Sequence, residues 1–154
     1  MTRAVRLEVP RAFSVAVVCP DFELPTPAMR AALPDEYPRA DAVFNIQRAT
    51  LLVAALLKGD REAFPVAFED RLHQPYRASR IPGLDAILKM RHPGLLGCAL
   101  SGAGPAVLVF YETGREEAVG AVAREFERAG CRSEAMFPHL DRTGLIVKDG
   151  MVEQ

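Results

Sequence analysis

FSVAVVCP (13–20) is a continuous, largely β-branched apolar run ended by proline, and it predicts a buried strand. VRLEV (5–9) alternates apolar and polar positions and predicts an edge strand ahead of it. The pattern turns helical at LPTPAMRAALP (24–34), with Thr26 placed to cap, Pro27 at the first helical position and Pro34 as the stop. RADAVFNIQRATLLVAALLKGD (39–60) is the longest helical signal, and Gly59 is placed to end it. It is apolar almost all round, so the expectation is a helix buried on more than one side.

REAFPVAFED (61–70) reads as a further helical stretch interrupted at Pro65, HQPYRASRIPG (73–83) as a loop by its prolines, and GLDAILKMRH (83–92) as a short helix. Two apolar strands follow, 95–100 and 106–111, with SGAGP between them. The next helix has the clearest signature: Thr113 and Glu116 stand at capping-box spacing, and Val119, Val122 and Phe126 mark one apolar face. CRSEAMF (131–137) predicts an alternating strand, TGLIV (143–147) a last edge strand, and 148–154 a frayed tail. This order predicts an α+β fold, a mainly antiparallel sheet with helices packed on one face. With no internal repeat and no dividing linker, residues 1–154 read as a single domain.

Composition narrows the function classes. A chain of 154 residues suits one domain that buries roughly 70% of its unfolded surface. A net charge of −1 gives no sign of a nucleic-acid or anionic-membrane partner. The longest apolar stretches read as too short or too interrupted to span a bilayer. Cys19, Cys98 and Cys131 are widely spaced, with no CxxC pair and no signal peptide ahead of the first strand, which predicts a reduced, cytoplasmic protein. Arginine far outnumbers lysine, which supplies forked donors suited to carboxylates and phosphates.

Few positions carry chemistry by spacing. His73, His92 and His139 lack metal-ligand spacing, so no metal site is expected. Glu69-Asp70 and Glu116-Glu117 read as solvated faces. Ser101, Gly102, Ala103, Gly104 and Pro105 contain no lysine of a P-loop and no third glycine of a dinucleotide fingerprint, and a strand rather than a helix follows. Spacing leaves a hairpin turn or a ligand loop, with the turn favoured. Thr26 and Arg30 share one helix face, and Arg77 sits among prolines. Two arginines converging on one carboxylate would make an amino-acid clamp.

PDFELPTPAMR (20–30), AVFNIQRATLLVAALLKGD (42–60), EDRLHQPYRASRIPG (69–83) and ALSGAGPAVLVF (99–110), taken in order, resemble the C-terminal half of the homoserine kinases, members of the GHMP kinase superfamily. The resemblance covers most of the chain, from about residue 5 to 147. It implies the ferredoxin-like C-terminal domain of that superfamily, with the N-terminal ATP-binding domain absent from these 154 residues. It further implies transfer of a phosphoryl group from ATP to the hydroxyl of L-homoserine, on the route to threonine. Thr26 would then lie near the reacting hydroxyl and phosphate, Arg30 and Arg77 would hold the substrate carboxylate, and residues 101–105 would line the site.

Two departures matter. Ala106 stands where serine or threonine is common in the family. The family's ATP loop, P-x-x-x-G-L-G-S-S, and its acidic magnesium ligand have no counterpart in the chain. ATP and magnesium are therefore expected to be held mainly by the N-terminal domain, and this chain alone is expected to be inactive. Its expected partners are L-homoserine and either that domain or a second copy meeting an exposed face. The alternative is a non-catalytic amino-acid-binding, regulatory or dimerisation module.

Overall fold

A computed structural model describes residues 5, 7, 8, 10, 12–141, 143 and 144. Its centre is a four-stranded antiparallel sheet in the order β2-β3-β1-β4, formed by β1 (Phe13–Pro20), β2 (Leu95–Leu100), β3 (Val107–Glu112) and β4 (Ser133–Met136). The helices are α1 (Thr26–Arg30), α2 (Arg39–Lys58), α3 (Phe64–Ala67), α4 (Gln74–Ala78), α5 (Leu84–Leu88) and α6 (Glu117–Arg128). This is the predicted α+β fold.

One sheet face carries the main core. Ala16 and Val18 from β1, Cys98 and Leu100 from β2, and Val107 and Val109 from β3 meet Ile87 of α5 and Val119, Val122 and Phe126 of α6. These side chains are at most 5% exposed. The predicted apolar face of α6 is therefore the one that packs. Burial pushes the Cys98 thiol up to about 12, so it acts as a small apolar side chain.

The helical cover is shared with the opposite face. There Phe13, Ala55, Phe64 and Leu96 form a second, smaller core, with Phe68 and Phe110 against it. The Phe13 and Phe64 rings meet edge to face at 4.9 Å. A register shift between Leu95 and Gly97 helps to build this core. Leu95 and Cys98 contribute to the main core, whereas Leu96 joins the second and Gly97 faces Phe68. A Cβ at Gly97 would sit 2.2 Å from the Phe68 ring, so only glycine lets α3 come this close.

Several expectations need correction. Thr26 does not cap α1: Pro25 holds that position and Thr26 begins the helix. The expected capping box of α6 does not form: the helix starts at Glu117 with Glu116 in the cap position and no side-chain cap hydrogen bond, while Thr113 shares a hydroxyl hydrogen bond of 2.9 Å with Ser14. Residues 74–78, expected as loop, are helix α4, since a proline in the first turn costs no intrahelical hydrogen bond. Of the expected edge strand 5–9, Arg6 and Val9 lie outside the described residues, while Val5, Leu7 and Glu8 are irregular. In the expected strand 143–147, residues 145–147 lie outside them, as does the tail 148–154.

The largest correction concerns α2. Its ends agree with expectation, including the left-handed cap at Gly59. However, Ala55 alone is buried, and by length and composition this helix is apolar enough to cross a membrane. Its inner side is nonetheless tied to the loop beside it. Arg48 pairs with Glu69 at 3.0 Å, Arg71 pairs with Asp41 at 3.2 Å, and both guanidinium groups stack on the Phe44 ring. These contacts lash α2 along the domain.

Candidate functional site

The glycine loop is a turn between β2 and β3, as its spacing predicted. Ser101 N–H donates to the Ala106 carbonyl at 2.8 Å, and Gly104 N–H donates to the Ser101 carbonyl at 3.1 Å. Gly102 and Gly104 both have positive φ, at +59° and +87°, and a cis bond joins Gly104 to Pro105. Beside this turn, Cys19, Phe22, Glu23, Leu24, Pro105 and Ala106 help to line a cleft of about 300 Å³.

Arg77 is what joins the turn to α1. Its side chain projects from α4 and is 7% exposed. Its Nε donates to the Met29 carbonyl at 3.1 Å, and its Nη1 donates to the Gly102 carbonyl at 3.0 Å. One guanidinium thus fastens the helix carrying Thr26 and Arg30 to the glycine loop. Arg77 thereby links the helix and the loop that carry the sequence-predicted residues, and two of its nitrogens are committed to their backbone. Thr26 and Arg30 are exposed. Among the described residues the Arg30 side chain has no ion-pair or hydrogen-bond partner, so its guanidinium is available.

Sequence reasoning missed the groups that hold α4 in place. Gln74 is 5% exposed and accepts a 2.7 Å hydrogen bond from Leu100 N–H, at the end of β2. Asp70 accepts from the N–H groups of Leu72, His73 and Gln74 at 3.3, 2.8 and 2.6 Å, as a capping carboxylate does. Asn45 of α2 donates to Asp70 and accepts from Arg71 N–H. The available clue was an aspartate four residues ahead of Gln-Pro, the kind of spacing that starts a helix at proline.

Electrostatics follow from this wiring. Burial pushes the Asp70 carboxyl up, but the His73 and Gln74 amides, the Asn45 side chain and the His73 charge outweigh it, leaving its pKa below the ordinary value. For His73, burial pushes the pKa down and the Arg77 charge adds to that, against an opposing pull from Asp70. His73 Nδ1 lies 3.4 Å from Arg77 Nη1, consistent with a neutral ring accepting from the guanidinium. Among the described residues no three histidine, cysteine or acidic side chains gather to hold a metal ion.

Residues 52–130, half of the chain, match the family described as GHMP kinases C terminal. The chain belongs to this family of GHMP kinase C-terminal domains. This GHMP kinase domain is 54% identical over 144 residues to a homoserine kinase of Solibacter usitatus, covering 94% of the chain and 47% of that protein. It is 40% identical over 139 residues to one of Persephonella marina, covering 90% and 46%. The crystal structure of homoserine kinase from Cytophaga hutchinsonii superposes with a TM-score of 0.81 at 26% identity, over 90% of the chain and 45% of that structure. The chain spans about half the length of the curated relatives it matches.

Proposed function

We propose that this domain is the substrate-side half of a homoserine kinase, which moves a phosphoryl group from ATP to the side-chain hydroxyl of L-homoserine. The observation that carries the reading is the 54% identity to a homoserine kinase over nearly the whole chain. Local geometry supports it. The exposed Arg30 offers a guanidinium to an amino-acid carboxylate, Thr26 brings a hydroxyl on the same short helix, and residues 101–105 form a wall tied to that helix through Arg77.

Phosphoryl transfer rests on positioning and charge neutralisation rather than covalent chemistry by the protein. In this reading Arg30 and Arg77 orient the substrate, and Thr26 lies beside the reacting oxygen. ATP and magnesium would be held mainly by residues outside this chain, as the resemblance implies, since the family's phosphate loop has no counterpart in these 154 residues. The chain alone is therefore expected not to turn over, and homoserine-dependent ADP release by the pure protein would refute this. A cytoplasmic location accords with its three free cysteines.

The direct test is an NMR titration of isotope-labelled protein with L-homoserine. Amide shifts concentrated at Thr26, Arg30, Arg77 and 101–105, and absent with L-leucine, are expected. No shifts at saturating ligand would remove the substrate-binding role from this half.

A further inference from the structure

The outer side of α2 has a regular pattern. Val43, Ile46, Thr50, Val53 and Leu57 follow one another at alternating steps of three, four, three and four residues. That is the a/d spacing of a helix–helix seam. All five face solvent, with Val43 44%, Ile46 66%, Val53 45% and Leu57 37% exposed. Ala49 and Ala54 flank the stripe and line a shallow groove with Thr50, Val53 and Leu57. Small flanking residues allow a second helix to approach closely. The polar member fits burial, because the Thr50 hydroxyl already donates to the Ile46 carbonyl at 2.9 Å. The opposite side of α2 is occupied by α3 and by the Asp41, Asn45 and Arg48 contacts with residues 69–71.

We infer that this stripe is a helix-docking seam, and that its occupant is a helix from the part of a homoserine kinase that lies beyond the match to this chain. The inference rests on the proposed function. Two observations choose this occupant. The chain covers only 47% of the Solibacter relative, so that protein has about as much polypeptide again to place against the matched half. The second is size. A 20-residue helix is about 30 Å long, and a strip about 10 Å wide along it gives roughly 300 Å² per side. Doubled over two partners, roughly 600 Å² reaches the lower end of interfaces between domains of one chain, about 600–1,500 Å². It falls short of the roughly 1,000 Å² expected of an independent dimer. The ion pairs and aromatic stacking on the inner side also hold α2 flat on the domain, which disfavours a bilayer as its cover.

The test joins the unmatched part of the Solibacter kinase ahead of this chain and reads thiol labelling at Val53→Cys and Ile46→Cys, in the fusion and in the 154-residue chain. Labelling at both positions should be at least tenfold slower in the fusion, with Lys89→Cys, exposed just beyond the end of α5, labelled equally in both. Equal labelling at 46 and 53 overturns the inference. So does slowing in the isolated chain that grows with its concentration, which would make a second copy the occupant. Protection produced only by phosphatidylcholine–phosphatidylglycerol vesicles overturns it as well. Slow labelling of buried Cys98 certifies that the fusion is folded. Where Cys98 is exposed, the unmatched part is co-expressed as a separate tagged chain, and Val53→Glu should cut co-purification at least tenfold; undiminished or absent co-purification of the parent counts against the seam. Homoserine-dependent ADP release by the fusion is scored separately, so protected thiols without activity would sink the proposed function and leave the seam standing.

Discussion

Replacing Arg77 by methionine separates two roles for this side chain. Were it only a clamp for an incoming ligand, its loss would leave the empty domain as stable as before. The structure gives a different expectation, because Nε and Nη1 already hold the carbonyls of Met29 and Gly102. Hydrogen bonds made by a charged group are each worth about 1.5–3 kcal/mol. Against that, methionine removes the cost of desolvating a guanidinium that is 7% exposed. The net destabilisation should be about 2–4 kcal/mol, a large share of the 5–15 kcal/mol typical of a domain.

Urea denaturation reads this directly as a lower midpoint at unchanged slope. In a thermal melt it corresponds to a fall of roughly 5–15 °C for a chain of this length. Arg77→Lys should lie between parent and Arg77→Met, since one ammonium cannot serve two carbonyls with the geometry of a fork. A methionine variant within about 0.5 kcal/mol of the parent, the usual range for surface changes, would refute the reasoning.

Gly97→Ala should cost about 1–3 kcal/mol, because the new methyl would meet the Phe68 ring at 2.2 Å. Adding Phe68→Leu should make the combined loss smaller than the sum of the two single losses, and strict additivity would contradict the contact. The pKa of His73 lies below its ordinary value, so the unfolded chain takes up this proton before the native state does. Stability should therefore fall as the pH drops from the ordinary histidine range through the native pKa, and His73→Gln should flatten that slope in urea melts from pH 7.5 to 4.5. Parallel slopes for parent and variant would refute the assignment. Asp70, whose native pKa is depressed, acts lower: its stabilisation is complete above the ordinary carboxyl range and is lost as pH falls through the native value.

What was legible in the sequence was whatever a local period determines. The stripe Val119, Val122 and Phe126 packs as its spacing demands, and the β-branched run 13–18 lies in the sheet. Capping was less legible. Thr113 and Glu116 have the right spacing, but α6 starts only at Glu117, and the Thr113 hydroxyl instead shares a hydrogen bond with Ser14 of β1, distant in sequence. Prolines misled at α4, where Pro75 falls in a first turn that Asp70 supports. Periodicity also cannot say which apolar surface a chain covers by itself. In α2 the 41–45–48–52–55 side, with Asp41, Asn45 and Arg48 among its members, packs against the domain, while the more apolar 43–46–50–53–57 side faces solvent. The candidate site residues were nominated by family resemblance alone, and the commitment of Arg77 to two carbonyls needed the fold.

That commitment sets the affinity this half can show for L-homoserine in the proposed reading. A carboxylate arriving at the site finds Arg30 exposed and unpaired, but at Arg77 it finds only Nη2 without a partner among the described residues. Two full charge-assisted contacts would contribute roughly 3–6 kcal/mol. Association itself costs about 4 kcal/mol or more. A second contact made by one nitrogen instead of a fork moves the sum to the low end, and even the high end leaves only about 2 kcal/mol, so the dissociation constant should be weaker than about 1 mM, the value that corresponds to about −4.1 kcal/mol. The same NMR titration measures it, and Arg30→Gln should abolish the shifts while leaving the urea midpoint unchanged, since Arg30 holds nothing in the fold. Micromolar binding by the isolated chain would mean that Arg77 releases Met29 or Gly102 to take the ligand, and the amide shifts of residues 101–105 would then exceed those at Arg30.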